Sequence, residues 1–101
     1  MNQFTIVGRI AEKPIIKESA SGNRYCQLLV EEERPYRNAS GDYDKDVYSI
    51  TLWKGLTEEN FKEGDLIGIR GRLQSSNYEK DGTIYYRVDF IAEKLTFIEV
   101  S

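Results

Sequence analysis

Residues Gly64–Phe90, GDLIGIRGRLQSSNYEKDGTIYYRVDF, constrain the fold more than any other stretch. Ile67, Ile69 and Leu73 share one row with Gly71, while Leu66, Gly68, Arg70, Arg72 and Gln74 fill the other. Alternation of period two marks a strand buried on one face. Ser75–Thr83 then brings Asn, Asp, Gly and two Ser, which turn a chain, and a second strand opens with Ile84-Tyr85-Tyr86-Arg87. The stretch reads as a long hairpin with one apolar face, two arginines on the opposite face and Tyr78 in its loop. Arginines beside exposed aromatics suit a surface that holds a nucleic-acid strand by phosphate and base together. An amphipathic hairpin with solvated charges is the plainer reading of the same residues.

A chain of 101 residues forms one domain, residues 1–101, with a single core. The lone Cys26 excludes an intramolecular disulfide, and the absence of His removes the common zinc arrangements. It also removes the commonest general base and the nucleophilic triads, so no enzyme activity, no metal and no cofactor is expected. Gly68-Ile69-Arg70-Gly71 is no phosphate loop, since no helix start or Lys-Ser/Thr follows. Asp42–Asp46 resembles a calcium loop only in its acids, because Val47 and Trp53 stand where Gly and Glu would be needed. The opening residues MNQFTIVGRI lack the pattern of a secretory signal, and no apolar run approaches the ~18 residues of a membrane span. The expectation is a soluble, cytoplasmic protein with no membrane association. A net charge of −3 opposes coating of nucleic acid by bulk charge but leaves room for a local basic groove.

Taken in order, Gln3–Ile10 is a first strand with Phe4, Ile6, Gly8 and Ile10 in one row and Thr5, Val7 and Arg9 in the other. Both rows are largely apolar, so the strand is either covered on both sides or placed at a subunit contact. Its mid-strand glycine predicts a bend or a close backbone approach. Tyr25–Arg34 is a second strand, with Cys26, Leu28 and Val30 inward and Leu29, Glu31 and Glu33 outward. Pro35–Asp46 reads as a long polar loop. Val47–Lys54 is a third strand, with Tyr48, Ile50 and Leu52 inward and Val47, Ser49, Thr51 and Trp53 outward. Trp53, the only Trp, therefore lies on the more polar face, either as a stacking platform for a base or packed under a loop or subunit contact. Gly55–Gly64 is a helix candidate of about two turns, with Thr57 as a weak N-cap and Phe61 as its buried anchor. The last strand runs from Ile84 towards Val100, with a bend at Ala92-Glu93-Lys94.

Five strands with one short helix between the third and fourth is the order of an all-β OB-fold, a Greek-key barrel. A general β-sandwich is the structural alternative. In the barrel, the second and third strands with their flanking loops form the usual ligand face, where Trp53, Tyr36 and Tyr78 would fall.

These residues resemble the bacterial single-stranded DNA-binding protein family. The similar segments are Met1–Ile10 followed by Pro14, Asp46–Trp53, and the spaced set Gly71-Arg72-Leu73-Gln74, Asn77-Tyr78-Glu79, Asp81-Gly82 and Tyr86. The resemblance implies that Trp53, Tyr78 and Tyr36 stack bases, with Val47 standing where members often carry a further aromatic. It also implies a homo-oligomer, tetramer or dimer, for which the outer row Thr5, Val7 and Arg9 is the expected interface. The chain ends at Ser101, short of the acidic tail through which many members recruit replication and repair proteins. The N-terminal half is also similar to the primosomal replication proteins of the PriB kind, in Pro14, Lys17, Ser19, Ser21-Gly22, Cys26-Gln27 and Glu31.

Two functions follow. One is sequence-tolerant binding of single-stranded DNA in replication, repair or recombination, with Arg34, Arg37, Lys54, Arg70, Arg72, Lys80 and Arg87 as candidate phosphate contacts. The other is a module that docks on replication or restart proteins, with DNA secondary; the net acidity and the Glu31–Glu33 run, which would repel phosphates, favour it.

Overall fold

The computed structural model describes residues 1–98. Eight strands and one 3-10 turn follow in chain order: β1 Phe4–Ile10, β2 Lys17–Glu18, β3 Arg24–Arg37, β4 Tyr43–Trp53, the turn Lys54–Glu58, β5 Leu66–Ser75, β6 Tyr78–Lys80, β7 Thr83–Tyr85 and β8 Val88–Phe97. The main sheet runs β1-β5-β8-β4-β3-β2, and a further pairing of β1 with β3 closes it into a barrel. With β2 set aside as a two-residue annex, the five long strands have OB-fold order, and β4 and β8 form the parallel pair.

The alternation in the sequence is the alternation of the barrel wall. β1 is buried at Phe4, Ile6, Gly8 and Ile10 and exposed at Thr5, Val7 and Arg9. Its outer row is thus uncovered in the single chain. Cys26, Leu28, Val30, Ile50, Leu52, Ile67 and Ile69 fill the interior, almost wholly removed from water. Each such aliphatic side chain contributes roughly 1.5–3 kcal/mol by burial. Phe61 belongs to the same core. Cys26 belongs to it as a small apolar residue, and burial pushes its thiol up, away from the reactive thiolate.

Four expectations are corrected. Pro35–Asp46 is mostly strand: β3 and β4 pair out to Arg37 and Tyr43 around a tight turn. In that turn the Asn38 side chain accepts from the amides of Ser40 and Asp42 at 2.9 and 3.1 Å, satisfying backbone donors that would otherwise need water. Gly55–Gly64 holds only the five-residue 3-10 turn, and Thr57, instead of capping it, is buried and donates its hydroxyl to the Lys54 carbonyl at 2.6 Å. Ser75–Thr83 is not irregular, because β6 and β7 pair as a ribbon turned by Asp81-Gly82, both in the left-handed region. The bend at Ala92-Glu93-Lys94 is a bulge opposite Arg70 and Gly71. The last strand does not run unbroken from Ile84: β7 ends at Tyr85, Tyr86 and Arg87 lie outside any strand, and β8 covers Val88–Phe97, with Val100 outside the described residues.

Closure depends on Gly8. A Cβ there would sit 2.3 Å from the Glu31 carbonyl oxygen and 2.8 Å from Val30. Gly8→Ala should therefore destabilise the protein by about 1–3 kcal/mol or more, a fall in Tm of roughly 4–8 °C per kcal/mol for a domain of this size. An unchanged midpoint in chemical or thermal denaturation would show that β1 and β3 do not approach as described.

Candidate nucleic-acid interface

The outer faces of β3 and β4 form one surface, read in register as pairs across the ladder. Tyr25 faces Trp53, Gln27 faces Thr51, Leu29 faces Ser49, Glu31 faces Val47 and Glu33 faces Lys45. Trp53 keeps 38% of its surface exposed although most of its strand's end is buried. Its ring lies 4.9 Å from that of Tyr25, tilted by 32°. The indole is thus seated on a neighbouring ring with area left for a third. Tyr25 escaped the sequence reading, because its role appears only once the register sets it opposite Trp53.

Below this pair the surface is polar but tied to itself. Gln27 donates to the Thr51 hydroxyl at 3.0 Å and accepts from Ser49 at 2.9 Å. This network fixes the floor beside the platform. Glu31 and Glu33 lie farther down β3; six residues of strand separate Tyr25 from Glu31, roughly 20 Å. Lys45 stands 3.9 Å from the Glu31 carboxylate. The acids therefore occupy the far end of the surface from Trp53.

Two arms leave the barrel at the same end. β4 and β8 run parallel through Ile50–Phe90 and Thr51–Ile91, so the chain preceding each strand projects the same way. One arm is the outer part of the β3–β4 hairpin. There Arg34 grips Asp46 with Nε and Nη2, at 2.8 Å for the shortest contact, and approaches Asp44 at 3.7 Å. Arg37 lies over the Tyr43 ring at 5.4 Å and donates to its hydroxyl. Tyr36 is exposed beside Arg34. The other arm is the β6–β7 ribbon, where Tyr78 and Tyr85 stack across the strands at 5.2 Å and 16°. Tyr86, next in the chain, is 78% exposed. Lys80 is exposed at the arm's turn, and Arg87 at its base pairs with Asp89 at 3.6 Å.

The seven candidate cations thus divide. Arg34 and Arg37 are engaged within the first arm, Lys80 and Arg87 belong to the second, and Lys54 follows Trp53 directly. Arg70 and Arg72 lie on the exterior of β5, on another side of the barrel from Trp53. No helix among the described residues is long and apolar enough to cross a membrane.

A closed OB-fold barrel with a seated, exposed aromatic on its second and third long strands defines a ligand-holding module of the oligonucleotide-binding architecture. The chain belongs to the single-strand binding protein family, whose sequence model matches residues 1–98. It is 34% identical to single-stranded DNA-binding protein 1 of Clostridium acetobutylicum over 105 residues, covering 98% of this chain and 94% of that protein. Against single-stranded DNA-binding protein B of Bacillus subtilis it is 28% identical, covering 97% and 90%. Among solved structures, the fold matches a deletion mutant of the single-stranded DNA binding protein from Thermus aquaticus with TM-score 0.79 at 23% identity, covering 98% of this chain and 51% of that one. A Plasmodium falciparum SSB complex with ssDNA matches with TM-score 0.75 at 16% identity, covering 98% and 96%.

The Asp46 carboxyl is held below its ordinary value by hydrogen bonds from Arg34. A depressed folded-state pKa means that the ion pair supports the arm above the ordinary carboxylate range and is lost as pH falls through the lowered value. Amides of the Asn38–Asp42 turn should then exchange faster with solvent at acid pH than intrinsic chemistry predicts. Asp46→Ala should show that faster exchange already at neutral pH. Equal protection in variant and parent would mean the pair does not hold the arm.

Proposed function

We propose that this chain binds single-stranded DNA with little regard to sequence, stacking bases on Trp53, Tyr78 and Tyr36 and drawing phosphates to nearby cations. The observation that carries the reading is the Tyr25–Trp53 pair. A lone exposed indole would lose rotamer freedom when a base stacked on it; one already seated on a tyrosine has less to lose. Every base offers a π-face, so such a platform holds a strand without reading it. Tyr85 joins Tyr78 as a second ring of the arm. Lys54 follows Trp53 directly, Arg37 follows Tyr36, and Lys80 and Arg87 belong to the arm that carries Tyr78.

Its setting would be DNA replication, repair or recombination in the cytoplasm, with replication or restart proteins as further partners. A homo-oligomer, dimer or tetramer, fits the free part of β1. That strand bonds to β5 from Phe4 to Arg9 but to β3 only at Arg9 and Ile10, which leaves a strand edge open to a second copy. The exposed row Thr5, Val7 and Arg9 borders that edge. The alternative of a protein-docking module of the primosomal kind, argued from the net acidity and the Glu31–Glu33 run, has less support, because the relatives named above are single-stranded DNA-binding proteins.

Intrinsic fluorescence tests this directly, since the chain has one Trp. Oligo(dT) should quench Trp53 strongly at low salt and less as salt rises, because each phosphate contact releases counterions. Trp53→Ala should weaken binding by about 1–3 kcal/mol, roughly 5- to 150-fold in Kd. Absence of quenching at low salt would move Trp53 to a protein contact and end this reading.

A further inference from the structure

The outer row of β3 has a second neighbour besides β4. Lys17 of β2 lies directly across from Tyr25, and Tyr25 directly across from Trp53. Residues paired across a ladder share a face, so cation, phenol ring and indole stand on one exterior rung, opposite in parity to the buried Cys26. Lys17 and Trp53 are two strand spacings apart, roughly 10 Å. Among the described residues neither Lys17 nor Lys13 takes part in an ion pair. The adjoining acid, Glu18, faces Arg24 instead.

Between β1 and β2 the chain arches beside this row. It is fastened to β3 at both ends, by the Ala11 amide donating to the Leu29 carbonyl at 2.9 Å and by the pairing of Lys17 with Tyr25. Residues 12–16 cross the gap outside any strand. Pro14 has a fixed φ and no amide to donate, which keeps the arch from joining the ladder. Under the arch is a cleft of about 270 Å³, to which the arch contributes Lys13, Pro14, Ile15 and Lys17, and β3 contributes Gln27 and Leu29. Glu12 is the one acid in its lining. Ligand clefts begin at roughly 300 Å³, so this one has room for a single ring or sugar and not for a helix. Ile15 leaves 76% of its surface in water at this cleft. At the other end of the same ladder Val47 faces Glu31, an aliphatic and an acid.

We propose that the nucleotide next to the one stacked on Trp53 passes over Tyr25 into this cleft, its base or sugar against Ile15 and Pro14 and its phosphate held by Lys17 and Lys13. Two features select a nucleic-acid strand as the occupant. The cleft continues the aromatic platform by one rung, and its two lysines outnumber its one acid although the chain as a whole carries −3. A cationic peptide would meet both lysines and be repelled. A single exposed isoleucine is ordinary on a protein surface, so Ile15 counts only because a ring and two cations flank it. This inference rests on the platform reading above and adds a subsite with three contacts, Lys17, Lys13 and Ile15.

The test is titration of Trp53 fluorescence with oligo(dT) of about eight nucleotides, within the range of OB-fold sites. Affinities are compared at about 0.15 M salt, where a Debye length of ~8 Å confines charge effects to near neighbours. Lys17→Gln should weaken binding about fivefold and flatten log K against log salt by ~0.7, the value for one phosphate lost on a single strand. Glu12→Gln should act in the opposite sense and tighten binding about twofold. Ile15→Ser, which changes no charge, should weaken binding about threefold with the slope unchanged. All three side chains are exposed, so thermal midpoints should move by no more than about 4 °C. An unchanged slope in Lys17→Gln, no gain in Glu12→Gln or unchanged affinity in Ile15→Ser overturns the subsite, while quenching in the parent keeps the platform. A changed native mass in Ile15→Ser assigns that side chain to a contact between copies and also overturns it. No quenching in the parent removes the platform, and the subsite with it.

Discussion

The barrel depends on β1 having two hydrogen-bonded neighbours. It runs beside β5 for most of its length and crosses to β3 at Arg9 and Ile10. That crossing turns a six-strand row into a closed wall around the aliphatic interior. It demands a residue with no side chain where the backbones of β1 and β3 meet, which is Gly8. The termini of the crossing are fastened as well: Gly64 and Asp65 exchange backbone hydrogen bonds with Ile10, and Ala11 donates to Leu29. At the other end of β1, the Asn2 side chain donates to the Leu73 carbonyl and accepts from the Leu73 amide at 2.6 and 2.8 Å. A side-chain amide there continues the β1–β5 ladder by one step.

Because the wall is closed, the exterior of every long strand belongs to one continuous surface. That is why parity matters more than sequence distance in placing the functional side chains. Trp53 and Tyr25 are 28 positions apart in number yet share a rung. The two arms continue strands of this wall, so their aromatics are held by ladder bonds at their bases. Asp81-Gly82 and Asn38–Asp42 supply the two tight turns. Neither arm has an interior face of its own, which leaves Tyr36, Tyr78, Tyr85 and Tyr86 in water.

Where a residue alternates between oil and water, the sequence was readable. The rows of β1 and β3, most of those of β4 and β5 and the outward parity of Trp53 follow from period-two patterning, but Leu73, placed by parity in the inner row, is exposed where β5 runs out towards the arm, and Thr51, placed in the outer row, is buried. The arms were not readable in this way. Arg34 to Arg37 and Tyr43 to Asp46 are polar on both faces, so no hydrophobic period marks them as strand, and they read as loop. Their pairing comes from an ion pair and an Asn-built turn between residues whose partnership no local pattern announces. The helix between the third and fourth long strands was over-read for the opposite reason. Its polar residues allowed two turns, but the short connection to Phe61 and the buried Thr57 fit only one tight 3-10 turn. Tyr25 was passed over because a single aromatic at a strand's start has no period of its own.

Charge distribution follows from the same wall. A chain of net charge −3 gains nothing from long-range attraction to a polyanion, so any strand it holds must be held by contact. Stacking supplies contact energy that salt does not screen, whereas each phosphate contact is weakened by salt. Several cations are already spoken for, Arg34 by Asp46 and Arg87 by Asp89, which keeps the arms in shape at the expense of free positive charge. Among the described residues Lys54 and Lys80 beside the rings, and Arg70, Arg72 and Lys94 on β5 and β8, stand outside ion pairs. An acidic body with local cations selects where a strand lies more than whether one approaches.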